Sequence, residues 1–335
     1  MSVRLPVPDK ALNVLVTKTL TLSEVSAEEE AMISEAAGPG AVVTIVDSPK
    51  EGVNYAADAD VILGITPKWL FEAAPNLKWV HATASGVDMF MYQEFIESDV
   101  TLTGEKGLVG GHLADTAFGL LLALTRRIKT AIELGPEGWS LENREMMRFS
   151  EVELEGLTMG IVGFGGTGRH LARRAVAFGM NVRAIDAFPV PPSDGVAEVE
   201  GMEVIDELVA VSDVLAVGLP LTEETRAMCD YEFFRAMKPT AIFLNVTRGE
   251  IIDGPGLEQA LREGIIGGAA LDVAPIEPLP AESPLWSFDN CVMTPHTAGA
   301  SQYRGRRNLE RFCRNLVALR EGRDLEGVVD KEAGF

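Results

Sequence analysis

Residues 158–186 read TMGIVGFGGTGRHLARRAVAFGMNVRAID, and this stretch decides the fold. An apolar strand pattern runs into the loop Gly163-Phe-Gly165-Gly-Thr-Gly168, which opens a helical pattern. A second strand pattern then ends in Asp186, roughly 20 residues beyond the glycines. A glycine-rich turn alone is weak evidence. With a strand before it, a helix after it and an acidic residue at the next strand end, it predicts a dinucleotide-binding βαβ unit.

Each position in the glycine loop has its own physical role. Gly163 permits the tight turn, Gly165 lets the backbone approach a pyrophosphate, and Gly168 lets the helix pack against the strand. The start of the helix offers free amides and the positive end of its dipole to phosphates. We therefore expect the amides of Gly166 and Thr167 to be the donors.

Asp186 predicts which dinucleotide binds. A carboxylate at this strand end accepts hydrogen bonds from ribose hydroxyls and repels a 2′-phosphate. The residues that follow, AFPVPP, contain no arginine that could hold such a phosphate. The expected cofactor is NAD rather than NADP.

Strand patterns lie on both sides of this unit and alternate with helical patterns. Before it they are LNVLVT (12–17), AVVTIV (41–46), DVILGI (60–65) and KWVHA (78–82), and after it DVLAVG (213–218), AIFLNV (241–246), GAALD (268–272) and CVMT (291–294). Helices are expected at 27–37, 67–73, 110–127 and 301–321, and residues 133–153 are expected to form an irregular arm. Two βα series predict an α/β protein with two doubly wound parallel-sheet domains.

Composition excludes several kinds of partner. The chain has 335 residues, enough for two domains, and a net charge of −21, which repels nucleic acid and anionic membranes. No apolar run is long enough to cross a bilayer, and the first residues lack a secretory pattern. Three scattered cysteines indicate reduced thiols and no metal site, so a cytoplasmic protein is expected. The acidity suits solubility or salt adaptation.

Histidine is the usual proton shuttle near neutral pH, and the chain has four. His170 follows the glycine loop on a helix, where a packing or surface role is the simpler one, and His112 begins the apolar helix. His81 ends a strand and could line a cleft. His296, in TPHTAG, lies just beyond a strand end, where α/β enzymes place reactive groups. Position alone does not decide among them.

Longer blocks decide the matter, because the chain resembles the D-isomer-specific 2-hydroxyacid dehydrogenase family. The blocks are the glycine loop, LPLTEETRAMCDYEFFRAMKPTAIFLNVTRGEIID (219–253), ALDVAPIEPLP (270–280) and SPLWSFDNCVMTPHTAG (283–299). Weaker matches are SGVD (85–88) and GGHLADTAFGLLLALTRR (110–127). The blocks occur in the family's order, and before Ser85 the chain matches only by pattern.

The resemblance implies a reaction and the residues that perform it. His296 would be the acid/base that exchanges the hydroxyl proton, and Glu277 would be its partner, since an anion favours imidazolium. Arg248 would clamp the carboxylate and polarise the carbonyl through its forked donors. The backbone amides of Ser85 and Gly86 would hold the carboxylate of a small 2-keto or 2-hydroxy acid.

The resemblance also implies the remaining cofactor contacts. Asp272 would bind the nicotinamide carboxamide. Pro220, Thr222, Val246 and Thr247 would contact NAD from loops at strand ends.

The same resemblance implies a discontinuous architecture. A Rossmann-type NAD-binding domain, residues 109–298, would be inserted in a flavodoxin-like substrate-binding domain formed by 1–108 and 299–335. Catalysis would take place in the cleft between them. Family members are usually homodimers joined through the cofactor domains, with 133–153 as the expected arm.

Several functions on this fold remain open. Glyoxylate or hydroxypyruvate reduction is the first to test, and a short-type phosphoglycerate dehydrogenase is an alternative. Formate dehydrogenases pair the histidine with glutamine, which Glu277 argues against. An NAD-sensing corepressor would keep the same three catalytic residues, although the acidic surface disfavours that interpretation.

Overall fold

The computed structural model describes residues 3–335, which form two compact α/β units. Their strands are β1 (Asn13–Thr17), β2 (Val42–Val46), β3 (Val61–Leu63), β4 (Trp79–His81), β5 (Thr101–Thr103), β6 (Thr158–Val162), β7 (Asn181–Ile185), β8 (Val199–Glu200), β9 (Val214–Val217), β10 (Ile242–Asn245), β11 (Gly268–Leu271) and β12 (Cys291–Met293). Their α-helices are α1 (Ala27–Ala37), α2 (Pro49–Gly52), α3 (Lys68–Glu72), α4 (Gln93–Ile96), α5 (Gly110–Thr125), α6 (Ile128–Leu134), α7 (Leu141–Ser150), α8 (Gly166–Ala177), α9 (Ile205–Val211), α10 (Tyr231–Ala236), α11 (Gly254–Arg262) and α12 (Arg304–Arg320).

The first unit contains residues 3–109 and Ala300–Phe335. Its parallel sheet has the order β2-β1-β3-β4-β5, which is the flavodoxin-like order. Helix α1 starts at a capping box, in which Ser26 and Glu29 satisfy each other's backbone amides. Helix α12 completes the core, because the buried ring of Phe312 packs 5.1 Å from that of Trp79.

The second unit, Gly110–Gly299, has a parallel sheet with the order β12-β11-β10-β9-β6-β7-β8. The chain leaves β6 toward β7 on one side and returns to β9 on the other. This reversal is the topological switch point at which doubly wound sheets bind dinucleotides. Leu215, Phe243 and Leu271 form part of the buried core beneath that edge.

These sheets confirm the predicted fold class of two doubly wound parallel-sheet units with Rossmann-type and flavodoxin-like strand orders. The units divide at 109/110 and 299/300, one residue from each boundary expected from the sequence. Across residues 3–335, no helix combines the length and hydropathy needed to span a bilayer.

The prediction of an irregular arm at 133–153 was wrong. The segment contains the end of α6, a 3-10 turn at Gly135–Trp139 and helix α7. Helix α7 begins where Ser140 accepts a hydrogen bond from the Asn143 amide. The helices were missed because their large apolar residues face outward, so no buried stripe marks the helical period.

Candidate active site

The residues expected to act on substrate and cofactor in the second unit follow the carboxyl ends of neighbouring parallel strands. Arg248 follows β10, Glu277 follows β11, His296 follows β12 and the glycine loop follows β6. Because parallel strands end at one edge of a sheet, these loops share that edge. This is where open α/β sheets bind their ligands.

The glycine loop has the shape that a pyrophosphate requires. Gly163 has φ +94°, and a methyl group there would lie 2.8 Å from the Gly218 carbonyl oxygen. A methyl group at Gly168 would collide with that same turn and lie 3.2 Å from Ile161 Cγ2. At Gly165 a methyl group would meet no heavy atom within 4 Å in the described chain. No side chain caps α8 at Gly165, so its first amides suit a phosphate.

Asp186 lies directly after β7 and beside the glycine loop. One carboxylate oxygen accepts from the Phe164 amide at 2.8 Å, and the other accepts from the Phe188 amide at 3.0 Å. These bonds fix the carboxylate, and each oxygen retains lone-pair capacity. The geometry fits the two hydroxyls of an adenine-linked ribose.

Glu277 and His296 form a direct hydrogen-bonded pair. His296 Nδ1 lies 2.7 Å from Glu277 Oε2, while Glu277 Oε1 accepts from the Ala274 amide at 2.9 Å. The carboxylate is therefore held at both oxygens. A proton on Nδ1 leaves Nε2 as the nitrogen that exchanges protons with a ligand. The imidazole is half-exposed and borders a cavity of about 240 Å³.

Asp272 organises the loop that carries His296. Its buried carboxylate accepts from Thr294 Oγ1 at 2.6 Å, the Thr297 amide at 3.0 Å and the Ala298 amide at 2.8 Å. Its carbonyl accepts from the His296 amide at 2.7 Å. These bonds hold His296 at φ +54°, which is rare for a residue with a side chain. The sequence analysis missed this anchoring role of Asp272. The signal that could have found it is an acidic residue directly after a buried strand.

Arg248 lies in the loop after β10, half-buried, with Nη1 donating to the Thr247 carbonyl at 2.8 Å. Buried Asn245 shapes this loop, because its amide donates to the Arg248 carbonyl and its Oδ1 accepts from the Thr247 amide. Val246 is buried. The guanidinium is thus carried on a loop with a fixed backbone.

The remaining expected cofactor contacts also occupy ordered turns. After β9, Thr225 Oγ1 donates to the Pro220 carbonyl at 2.7 Å and accepts from the Thr222 amide at 2.8 Å. Thr222 Oγ1 donates to Glu224 at 2.9 Å, and this bond lowers the pKa of the exposed Glu224 carboxyl.

The first unit carries the two residues expected to hold a substrate carboxylate. Ser85 is exposed and Gly86 half-buried in the loop after β4, at the carboxyl edge of that sheet. His81, at the end of β4, is fully buried, and its Nδ1 lies 2.6 Å from Thr103 Oγ1. Desolvation lowers its pKa to about 3, so it is a neutral core residue. His170 packs on α8 near Gly110, as predicted.

Comparison with known proteins supplies independent evidence. Residues 118–298 match the family model of the D-isomer specific 2-hydroxyacid dehydrogenase NAD binding domain. The chain is 37% identical over 264 residues to a glyoxylate reductase of Korarchaeum cryptofilum, covering 78% of this chain and 79% of that protein. It is 38% identical over 267 residues to a glyoxylate reductase of Thermococcus onnurineus, with coverage of 78% and 79%.

Solved structures agree over nearly the whole chain. A D-isomer specific 2-hydroxyacid dehydrogenase family protein from Aeromonas salmonicida superposes with a TM-score of 0.81 at 28% identity, covering 96% of this chain and all (100%) of that one. An NADPH-dependent glyoxylate/hydroxypyruvate reductase from Sinorhizobium meliloti, in complex with NADP and sulfate, gives 0.78 at 26% identity, with coverage of 97% and 100%.

Proposed function

Because the chain belongs to the D-isomer specific 2-hydroxyacid dehydrogenase family, we propose that it reduces a small 2-keto acid to the D-2-hydroxy acid with NADH. The observation that carries this proposal is the Glu277–His296 pair, whose 2.7 Å bond joins the loops after neighbouring strands. An imidazole held this way by a carboxylate is suited to proton transfer at a carbonyl oxygen.

The roles of the three residues follow from their chemistry. A bound nicotinamide supplies or accepts the hydride at the substrate's C2. His296 Nε2 donates the proton that the keto oxygen needs, and Glu277 holds the ring through Nδ1. Arg248 offers two parallel donors to the substrate carboxylate and carbonyl, so it both orients the substrate and favours the developing alkoxide. Asp272 keeps His296 in place through four hydrogen bonds, three to its carboxylate and one to its carbonyl.

We propose NAD as the preferred cofactor on the strength of Asp186. The two amides hold its carboxylate at the end of β7, where a 2′-phosphate would have to lie. Such a phosphate would meet repulsion in place of two hydroxyl hydrogen bonds. Similar solved proteins from Xanthobacter autotrophicus and Sinorhizobium meliloti are in complex with NADPH and NADP, and substitution of Asp186 tests the preference of this chain.

For the substrate we propose glyoxylate or hydroxypyruvate first, since the similar sequences are glyoxylate reductases. The Ser85 and Gly86 amides would take the substrate carboxylate in the first unit. The free thiols of Cys229, Cys291 and Cys313 suit a reducing compartment, and we place the enzyme in the cytoplasm.

We further propose a homodimer formed through the cofactor-binding unit. From α6 to the end of α7, four large apolar side chains are more than 70% exposed: Ile132 (74%), Trp139 (81%), Leu141 (82%) and Phe149 (83%). Large apolar side chains exposed in one segment of an otherwise acidic protein are typical of an association site. Light scattering of Trp139→Ala and Phe149→Ala together should give a monomer, and an unchanged mass would exclude this surface.

An NADH-oxidation screen tests the enzymatic proposal. Glyoxylate, hydroxypyruvate, pyruvate, phenylpyruvate and branched 2-keto acids are compared with the purified protein, and chiral analysis identifies the product. His296→Gln should lose more than about 100-fold of kcat while still binding NADH. His170→Gln, a packing histidine of the same unit, is the control and should stay active. Turnover by His296→Gln at the wild-type rate would refute the assignment.

A further inference from the structure

The loop that carries Ser85 and Gly86 begins at Ala82, whose backbone is held on both sides. The Ala82 amide donates to the Thr103 carbonyl at 2.8 Å in line with the sheet. Its carbonyl accepts from Asn308 Nδ2 at 3.1 Å, a bond to α12 that spans most of the sequence. Side-chain contacts from α12 therefore reach the start of this loop.

Asn308 belongs to a buried charged network. Its amide also donates to Glu105 Oε1 at 3.3 Å, and both side chains are only 1% exposed. Glu105 is paired with Arg304, whose Nη2 lies 2.6 Å from Oε2 and whose Nε lies 3.0 Å from the same oxygen. Arg304 and Asn308 are one turn apart on α12, so a single helix face presents both to the carboxylate.

Two further contacts hold the neighbouring backbone. Thr83 Oγ1, the next position of the loop, lies 2.9 Å from Thr19 Oγ1. Arg311, also on α12, donates to the carbonyls of Gly104 and Lys106 at 3.1 and 2.7 Å. The loops after β4 and β5 are thus both tied to one helix.

A buried ion pair is an inefficient way to stabilise a core. Desolvation of both charges offsets most of their attraction, and apolar side chains of similar volume often do as well. Glu105 and Arg304 make directional hydrogen bonds, which apolar side chains cannot. Each of these bonds fixes the position of the atom that it joins. The network ends on the first residue of the loop expected to meet the substrate.

We propose that Glu105, Arg304 and Asn308 are positioning residues that act through Ala82 to hold the Ser85–Gly86 amides in the geometry that binds the substrate carboxylate. This inference rests on the proposed function. It predicts that loosening the network weakens the binding of the keto acid and leaves cofactor binding and hydride transfer nearly intact.

The chain offers a matched control for this test. Asn315 lies two turns further along α12, is fully buried, and donates to the Glu326 carbonyl at 2.9 Å while accepting from the Glu326 amide at 2.8 Å. Asn308→Ala and Asn315→Ala remove the same group from the same helix. Only the first touches the substrate loop. Asn315→Ala breaks at least as many hydrogen bonds, so it should destabilise the protein at least as much.

The experiment compares both variants and Glu105→Gln by thermal unfolding, steady-state kinetics with glyoxylate, and hydrogen exchange of the amides in residues 83–88. Asn308→Ala and Glu105→Gln should raise KM for glyoxylate about tenfold, keep kcat and the KM for NADH within about twofold, and speed exchange in 83–88. Asn315→Ala should lower the melting temperature alone.

An unchanged KM in a folded Asn308→Ala protein would overturn the proposal, as would an equal rise in Asn315→Ala. Failure of the proposed function would be seen in the activity screen of the wild-type protein, before any variant is compared. The wild-type protein would then reduce no 2-keto acid, and the positioning role would fall with it, whatever the exchange at 83–88.

Discussion

Substituting alanine at two glycines of the loop after β6 should separate folding from cofactor binding. At Gly165 the added methyl group meets no heavy atom within 4 Å in residues 3–335, and φ is −76°. At Gly163 it would lie 2.8 Å from the Gly218 oxygen and 2.9 Å from its carbon, with φ +94°. The first methyl group would project into open space at the start of α8, where the pyrophosphate is expected, and the second would project into the protein.

The magnitudes follow from these surroundings. For Gly163→Ala, a positive φ costs about 1–2 kcal/mol and the overlap with Gly218 about 1–3 kcal/mol more. At about 2–4 °C per kcal/mol for a unit of this size, the combined cost of about 2–5 kcal/mol should lower the melting temperature by roughly 4–20 °C. Gly165→Ala loses a favourable helix cap, worth about 1 kcal/mol or less. Its melting temperature should therefore fall by at most about 2–4 °C.

The order of effects reverses for the cofactor. In Gly165→Ala the methyl group would keep the pyrophosphate about 1 Å from its best position, which lowers kcat/KM for NADH on the order of 100-fold. Thermal unfolding without cofactor measures the first quantity, and steady-state NADH oxidation measures the second. A wild-type kcat/KM for NADH in Gly165→Ala would refute the reasoning, as would a Gly163→Ala protein that melts at the wild-type temperature.

Three other substitutions test single residues. Arg248→Lys keeps the charge but loses the fork, so kcat/KM for the keto acid in the NADH-oxidation assay should fall about 10–100-fold, and no loss would contradict the clamp. Asp186→Ser should raise the ratio of kcat/KM for NADPH to that for NADH at least about tenfold, and an unchanged ratio would assign cofactor choice to another group. His81 has a pKa lowered to about 3, mainly by desolvation, so below its ordinary value of 6.5 the unfolded chain takes up this proton first. The free energy of unfolding in urea should therefore fall between pH 6.5 and 3, less steeply in His81→Gln, and equal slopes would exclude His81 as the cause.

The fold was predictable wherever apolar residues are buried at a regular period. The strands around the glycine loop are short, β-branched and covered on both faces, so their patterns appear in the sequence. The helices between 128 and 150 were not predicted, because their large apolar side chains are exposed in the single chain and form no buried stripe. The two-residue strand β8 is too short to have a pattern.

The candidate site was only partly predictable. The blocks that resemble the family gave His296 and Glu277, and their 2.7 Å contact could not be derived from their spacing in the chain. Asp272 was expected from the resemblance to meet the nicotinamide, and its second role, holding the His296 loop, depends on a turn with positive φ that the sequence does not mark. The Glu105–Arg304 pair joins residues about 200 positions apart, and no local pattern marks such a contact.

The first unit is built from two separate stretches of the chain, and this has a consequence for its synthesis on the ribosome. Its core needs Phe312 and Leu316, which are translated after all of Gly110–Gly299. The inserted unit therefore has all its strands available first and can fold as a unit while the nascent N-terminal sheet still lacks α12. Until that helix emerges, the apolar face around Val14 and Trp79 stays uncovered, and a chaperone that holds nascent chains would find its binding site there.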